Sequence, residues 1–306
     1  MGVATNVFFL GKGGVGKSTS AALTSLLLAE QGRKILIVSL DPAHNQSDIF
    51  EKRLSGRPTK LAANLHGVEI DGDAWIRKYL RGVREDINKT YRYLTSFNLG
   101  KYFDVMKYSP GLEEYALILA FQEIRRKFPT RDVLVFDMAP TALSLRFFGL
   151  PRLSLVWIHH LRKLRQDIID KRELITRVRL LNRDIETDKV LLKIQKSLDE
   201  YTRLKNLFED RELTRIHLVL NPDQLSLAES ARIVTELGKM NIRVARIIVN
   251  KIRAGSKYDV IASAFASFAM IKVPYSATPL VGIDSLRRFI DLEMDDETRA
   301  ALVDRA

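Results

Sequence analysis

The segment Asn6–Gly32, NVFFLGKGGVGKSTSAALTSLLLAEQG, constrains the chain more than any other. An apolar run ends at Leu10, a glycine-rich loop follows, and an apolar-periodic segment then runs to Gly32. Gly11, Gly16, Lys17 and Ser18 meet the spacing G-x-x-x-x-G-K-[ST], in the strand–loop–helix context that this phosphate-binding loop requires. Glycine lets successive backbone N–H groups turn inward around phosphate oxygens. A helix opening near Lys17 adds the positive end of its dipole. The loop reads as a nucleoside-triphosphate cradle built from Gly11, Gly13, Gly14, Val15, Gly16, Lys17, Ser18 and Thr19. In it Lys17 reaches the β- and γ-phosphates, the Ser18 hydroxyl holds Mg²⁺ and Thr19 meets the α-phosphate. The motif does not explain Lys12, a second lysine before the paired glycines.

The rest of the chain supplies more units of the same kind. Apolar runs recur at Lys34–Leu40, Asp132–Asp137, IHLVLN, VARIIVN and AMIKV, with helical patterns between them. Continuous apolar strands alternating with helices imply an α/β fold with a mostly parallel, doubly wound sheet covered on both faces. Ser226 with Glu229 reads as a capping box opening the helix after the strand that ends at Leu220. Two stretches break the alternation. Asp73–Leu94 reads as one helix, with Ile76, Leu80, Val83, Ile87, Tyr91 and Leu94 at helical spacing. Leu153–Phe208 reads as two, carrying Leu161, Leu164, Ile168, Ile175 and Val178, then Leu191, Ile194, Leu198, Tyr201 and Phe208. The expectation is one domain over residues 1–306, of P-loop NTPase type, with helical insertions at about 72–127 and 152–211 forming a helical subdomain. Their apolar stripes are expected to pack chiefly on the protein's own core.

Phosphoryl transfer to water also needs carboxylates. Asp137 closes the strand DVLVFD, where a second group must sit to hold Mg²⁺ through water. Asp41 and Asp48, in LIVSLDPAHNQSD, are candidates for orienting the attacking water. Asp41 leads, because ligands of open parallel sheets bind at the carboxyl ends of strands.

Composition narrows the chemistry. The chain has no cysteine, which excludes disulfides, thiolate metal sites and iron–sulfur clusters together. The net charge of +12 permits an anionic partner without demanding one. The basic stretch Arg162–Arg183 is expected to be a solvated face, and nucleic acid is not expected as a partner. His159-His160 is a poor metal pair, since adjacent residues do not share a helix face. Trp75, Tyr79, Tyr91 and Tyr93 read as packing residues rather than a base-stacking platform. With no apolar run long enough to span a bilayer, a cytoplasmic location is expected, with peripheral contact to a membrane left open.

The variant KGGVGKST is characteristic of deviant Walker A loops. SLDPAHNQSDIF and VFDMAPTALSLRFFGLP resemble the switch I and switch II segments of the ArsA family, the arsenite-pump and tail-anchored-protein targeting ATPases. DRELTRIHLVLNPDQLSLAESARIVTEL, IIVNKI and VPYSATPLVGIDSLRRF are similar to later segments of the same family, in the same order. The resemblance implies a homodimeric Mg-ATPase that closes on ATP, with Lys12 crossing to the partner's phosphates. It also implies that Asp41 orients water, Asp137 serves Mg²⁺, Asn250 hydrogen-bonds adenine and Pro274 lies by the base. The client would be an apolar protein segment or a membrane partner.

The sequence also departs from that family. Ala142-Leu143 replaces the usual Gly-His of switch II, with Ser144 after it, and Gln46 stands where leucine is usual. Zinc joined through cysteine pairs and arsenite held by thiolates are both impossible here. A positioning ATPase of the ParA/MinD type, acting on DNA or membrane, is the alternative reading.

Overall fold

In the computed structural model, residues 4–43, 45–90, 106, 108–179, 188–256 and 258–304 are described, the side chains of 86–90 and 172–179 excepted. The strands are β1 (Thr5–Leu10), β2 (Ile35–Ser39), β3 (Thr59–Ala62), β4 (Leu65–Glu69), β5 (Val133–Asp137), β6 (Thr214–Leu220), β7 (Val244–Ile252) and β8 (Ala269–Pro274). They form one sheet in the order β3-β4-β2-β5-β1-β6-β7-β8. All neighbours pair in parallel except β3 and β4, which are antiparallel. β1 is central because it is buried on both faces. Phe8 and Leu10 point into one apolar layer, Val7 and Phe9 into the other.

The first layer is closed by α4 (Leu112–Lys127), α5 (Thr141–Arg179), α6 (Lys189–Glu209) and α7 (Gln224–Lys239). Phe8 is its hub, with ring centroids 4.8 Å from Phe136, 5.1 Å from Phe148 and 5.6 Å from Phe121. The second layer is closed by α1 (Lys17–Glu30), α9 (Ile283–Glu293) and α10 (Asp296–Val303), through Leu23, Leu26, Leu286, Phe289 and Leu302. Three further helices are α2 (Asn45–Phe50), α3 (Gly72–Thr90) and α8 (Tyr258–Ala264). α3 packs on α4, with the Tyr79 and Tyr115 rings 4.7 Å apart, and Trp75 rests against the first layer.

The helix expected from Asp73 is present, from Gly72 to Thr90, and Tyr91, Tyr93 and Leu94 lie outside the described residues. Three other local expectations need correction. The first long helix starts at Thr141, not Leu153, and runs through Pro151. Proline forfeits one backbone hydrogen bond, and the buried Phe147 and Phe148 hold the preceding turn in place. The helix after β6 is capped by Asp223, whose Oδ1 accepts the Ser226 N–H at 2.8 Å. Ser226 Oγ instead accepts the Asn221 N–H at 3.0 Å, and Glu229 accepts the Thr141 hydroxyl at 2.5 Å.

The third correction concerns the helical stripes, which divide. On α6, Leu198 and Phe208 of the expected stripe are buried and Leu191, Ile194 and Tyr201 partly so, with Leu204 and Leu207 buried beside them. On α5, Leu153, Trp157, Leu161, Leu164 and Ile168 share one face and are exposed, Trp157 by 65%. Ile175 and Val178 lie outside the described side chains. Among the described residues, no helix is long and apolar enough to cross a membrane.

Candidate functional site

The loop after β1 opens where the chain's crossovers change side, from β2, β5 and their neighbours to β6, β7 and β8, the crevice position for ligands of such sheets. Gly11 (φ 148°), Gly14 (φ 78°) and Gly16 (φ 96°) shape it. Gly16 is the N-cap of α1, and a Cβ there would lie 2.2 Å from Asn250 Nδ2. At Gly11 a Cβ would lie 2.1 Å from the Val219 carbonyl oxygen. The loop is tied to β7 from two sides: Asn250 Nδ2 donates to Val15 O at 2.8 Å, and Lys251 Nζ to Gly14 O at 2.8 Å.

Beside it lies a cavity of about 620 Å³. Gly13, Gly14, Gly16, Lys17, Ser18, Thr19, Asp41, Asp48, Asn250 and Pro274 all contribute to its wall, so the structure brings together most of the residues singled out from the sequence. Asn45, Lys251, Tyr275, Ser276 and Thr278 add further polar groups, and Pro140 also lines it. The volume suits a nucleotide-sized ligand. Val15 is buried beneath the loop. Lys17 is buried and its Nζ donates to the Lys12 carbonyl at 3.3 Å. The Lys12 side chain is half-buried and lies outside the lining of this cavity.

The carboxylates differ sharply in environment. Asp41, just beyond the end of β2, has Oδ1 accepting the Ala43 N–H at 3.0 Å, a turn that fixes the carboxylate on the cavity wall. Asp48, on α2, also borders the cavity but is exposed. Asp137, at the end of β5, is fully buried. Its Oδ2 accepts Gln46 Nε2 at 2.9 Å, Ser18 lies close enough to favour its charged form, and Oδ1 has no partner. Burial pushes this carboxyl up to about 6, and Asp41 adds to the rise. The hydrogen bond from Gln46, the nearby Ser18 and the charge of Lys17 oppose it.

An unpartnered buried carboxylate oxygen beside a serine hydroxyl at a helix N-terminus suits a hard, hydrated divalent cation that prefers oxygen. The residues present therefore fit magnesium, with Ser18 and Asp137 as the groups that would hold it.

The match to a known family is nearly complete in extent: the family described as Anion-transporting ATPase matches residues 4–294. The chain belongs to that family. Among its relatives, a putative arsenical pump-driving ATPase 2 of Aquifex aeolicus is 29% identical over 298 residues, covering 92% of this chain and 96% of the relative. An ATPase ASNA1 homolog of Cryptosporidium parvum is 32% identical, covering 80% and 64%. The ATPase GET3A of Arabidopsis thaliana is 27% identical, covering 92% and 82%. Family membership makes this an ATPase at the level of the family, and nucleotide binding follows from it.

Several residues at the site escaped the sequence reading. Lys251 adopts φ 58°, unusual for lysine, to reach the loop. Its only signal is its place after Asn250 at a strand end. Arg253 stacks its guanidinium 3.5 Å over the Tyr275 ring at the cavity edge. Thr141 and Glu229 join the start of α5 to α7. Ala142 and Leu143 form the first turn of α5, and Ser144 Oγ donates to Ala139 O at 2.6 Å, bracing that turn. His159 and His160 are both exposed.

Proposed function

We propose that this chain is a Mg²⁺-dependent ATPase that works as a nucleotide-driven homodimeric switch acting on an apolar client. The observation that carries the reading is the convergence of Lys17, Ser18 and Asp41 on one cavity, with the buried carboxylate of Asp137, one oxygen of it unpartnered, close behind. Lys17 binds the β- and γ-phosphates, and the N–H groups from Gly13 to Thr19 surround the phosphate oxygens. Asp41, fixed by its turn, accepts a hydrogen from the attacking water and aims it at the γ-phosphate. Magnesium, when bound by Ser18 and Asp137, neutralises phosphate charge. Asn250 commits one amide N–H to Val15 O, and its carbonyl oxygen accepts from the 6-amino group of adenine, a position where guanine carries an acceptor instead. Pro274 and Tyr275 flank that base.

The position of Lys12 outside the lining of its own cavity supports delivery to the partner subunit's phosphates. The exposed apolar face of α5 supports an apolar client, since exposed patches of this kind mark interaction surfaces. Light scattering of Asp41→Asn with ATP and Mg²⁺ tests the dimer, and the expected mass is twice that of the chain. A monomer under those conditions removes the switch. Normal hydrolysis by Lys12→Ala without any unmodified partner removes the intersubunit lysine.

A further inference from the structure

Gln46, on α2, is completely buried. Its Nε2 donates twice, to Asp137 Oδ2 at 2.9 Å and to Ser18 O at 3.0 Å. Its Oε1 receives nothing, and neither does Asp137 Oδ1. Two acceptors of adjoining buried groups are therefore without donors, a costly arrangement unless a donor arrives with a ligand. The arrangement is also rigid. The next residue, Ser47, donates its N–H and hydroxyl to Glu69 of β4 at 2.8 Å and 2.6 Å, so α2 cannot slide to relieve it. Water bound to a cation supplies hydrogens and accepts none, which matches these two oxygens without donors.

We propose that Gln46 is a positioning residue of the magnesium site. Its amide N–H holds the Asp137 carboxylate against the start of α1, and its carbonyl oxygen accepts a hydrogen from the water shell of the cation. The leucine usual at this place in the ArsA-type switch I can do neither. This chain therefore holds its cation through an extra outer contact, and switch I reads the cation through that bound water.

The proposal rests on the Mg-ATPase reading, and the test separates the two. The full chain is loaded with a fluorescent ADP analogue and titrated with Mn²⁺, following bound metal by electron paramagnetic resonance. Affinity for the same analogue is measured in parallel without metal. In Gln46→Leu, and in the near-isosteric Gln46→Met, the Mn²⁺ concentration for half-saturation should rise about 10- to 100-fold, as when other outer-sphere partners are lost. Metal-free nucleotide affinity should stay within about two-fold of the parent. An unshifted half-saturation in both variants, with the parent binding normally, overturns the role of Gln46 alone. A loss of metal-free nucleotide binding in both variants also overturns it, because Gln46 is then merely structural. If the parent binds no nucleotide, the ATPase reading and the proposal fall together.

Discussion

Asp137 makes the nucleotide-free protein less stable at neutral pH than a neutral group there would, and the sign can be worked out. Its folded-state value, about 6, lies above the ordinary 3.8. Between those values the folded chain holds a proton that the unfolded chain has released, so this group's favourable contribution is present below about pH 4 and lost as the pH rises through 6. The separation corresponds to about 3 kcal/mol at pH 7. Asp137→Asn keeps an acceptor for Gln46 and removes the charge. Free of nucleotide and with a chelator present, it should be more stable than the parent by up to about 3 kcal/mol at pH 7, the gain shrinking toward zero near pH 4. Urea denaturation across that range measures it. A difference between variant and parent that does not change with pH would refute the argument, as would a destabilised variant at pH 7. The same variant should lose Mg²⁺-dependent nucleotide tightening, a trade of stability against function familiar at ligand sites.

Asp41→Asn should bind ATP with near-parental affinity and lose hydrolysis by a factor of about 100 or more in a phosphate-release assay, and turnover equal to the parent would remove Asp41 from the mechanism. Gly16→Ala forces a Cβ into Asn250 at a positive φ and should cost about 2 kcal/mol or more in thermal or urea unfolding. Gly13→Ala, where a Cβ meets open space, should stay within about 0.5 kcal/mol. Trp157→Ser with Leu161→Ser should leave stability within about 0.5 kcal/mol per site, because both side chains are exposed, yet weaken binding of an apolar peptide measured by fluorescence anisotropy.

Features governed by local rules were legible in the sequence. β1, β2 and β5 are uninterrupted apolar runs because both faces of a parallel strand are buried, and the phosphate loop is a spacing motif. β3 and β4 were missed because TKLA and LHGVE are short and poor in β-branched residues. Gly67 leaves room there for the Leu61 and Leu54 side chains, which a Cβ would meet at 2.8–3.2 Å. The start of α5 was hidden by Pro151, a breaker that the packing of Phe147 and Phe148 overrides. The cap at α7 slipped because Asp223 stood three residues ahead of a serviceable Ser226. Gln46 was visible only as a departure from a resemblance. Its meaning lies in a contact spanning 91 positions of sequence to Asp137, which no local pattern encodes.

The length of α5 has one more consequence. The helix begins at Thr141, four residues beyond Asp137, and its exposed apolar face extends to Ile168. At 1.5 Å per residue that face ends about 40 Å from the start of the helix, so tilting the first turn by about 5° would swing the far end by about 3–4 Å. The helix thus joins the cavity wall, which Pro140 lines immediately before its start, to an apolar surface several turns away. A rotation of a few degrees at the cavity end is a displacement of several ångströms at the far end.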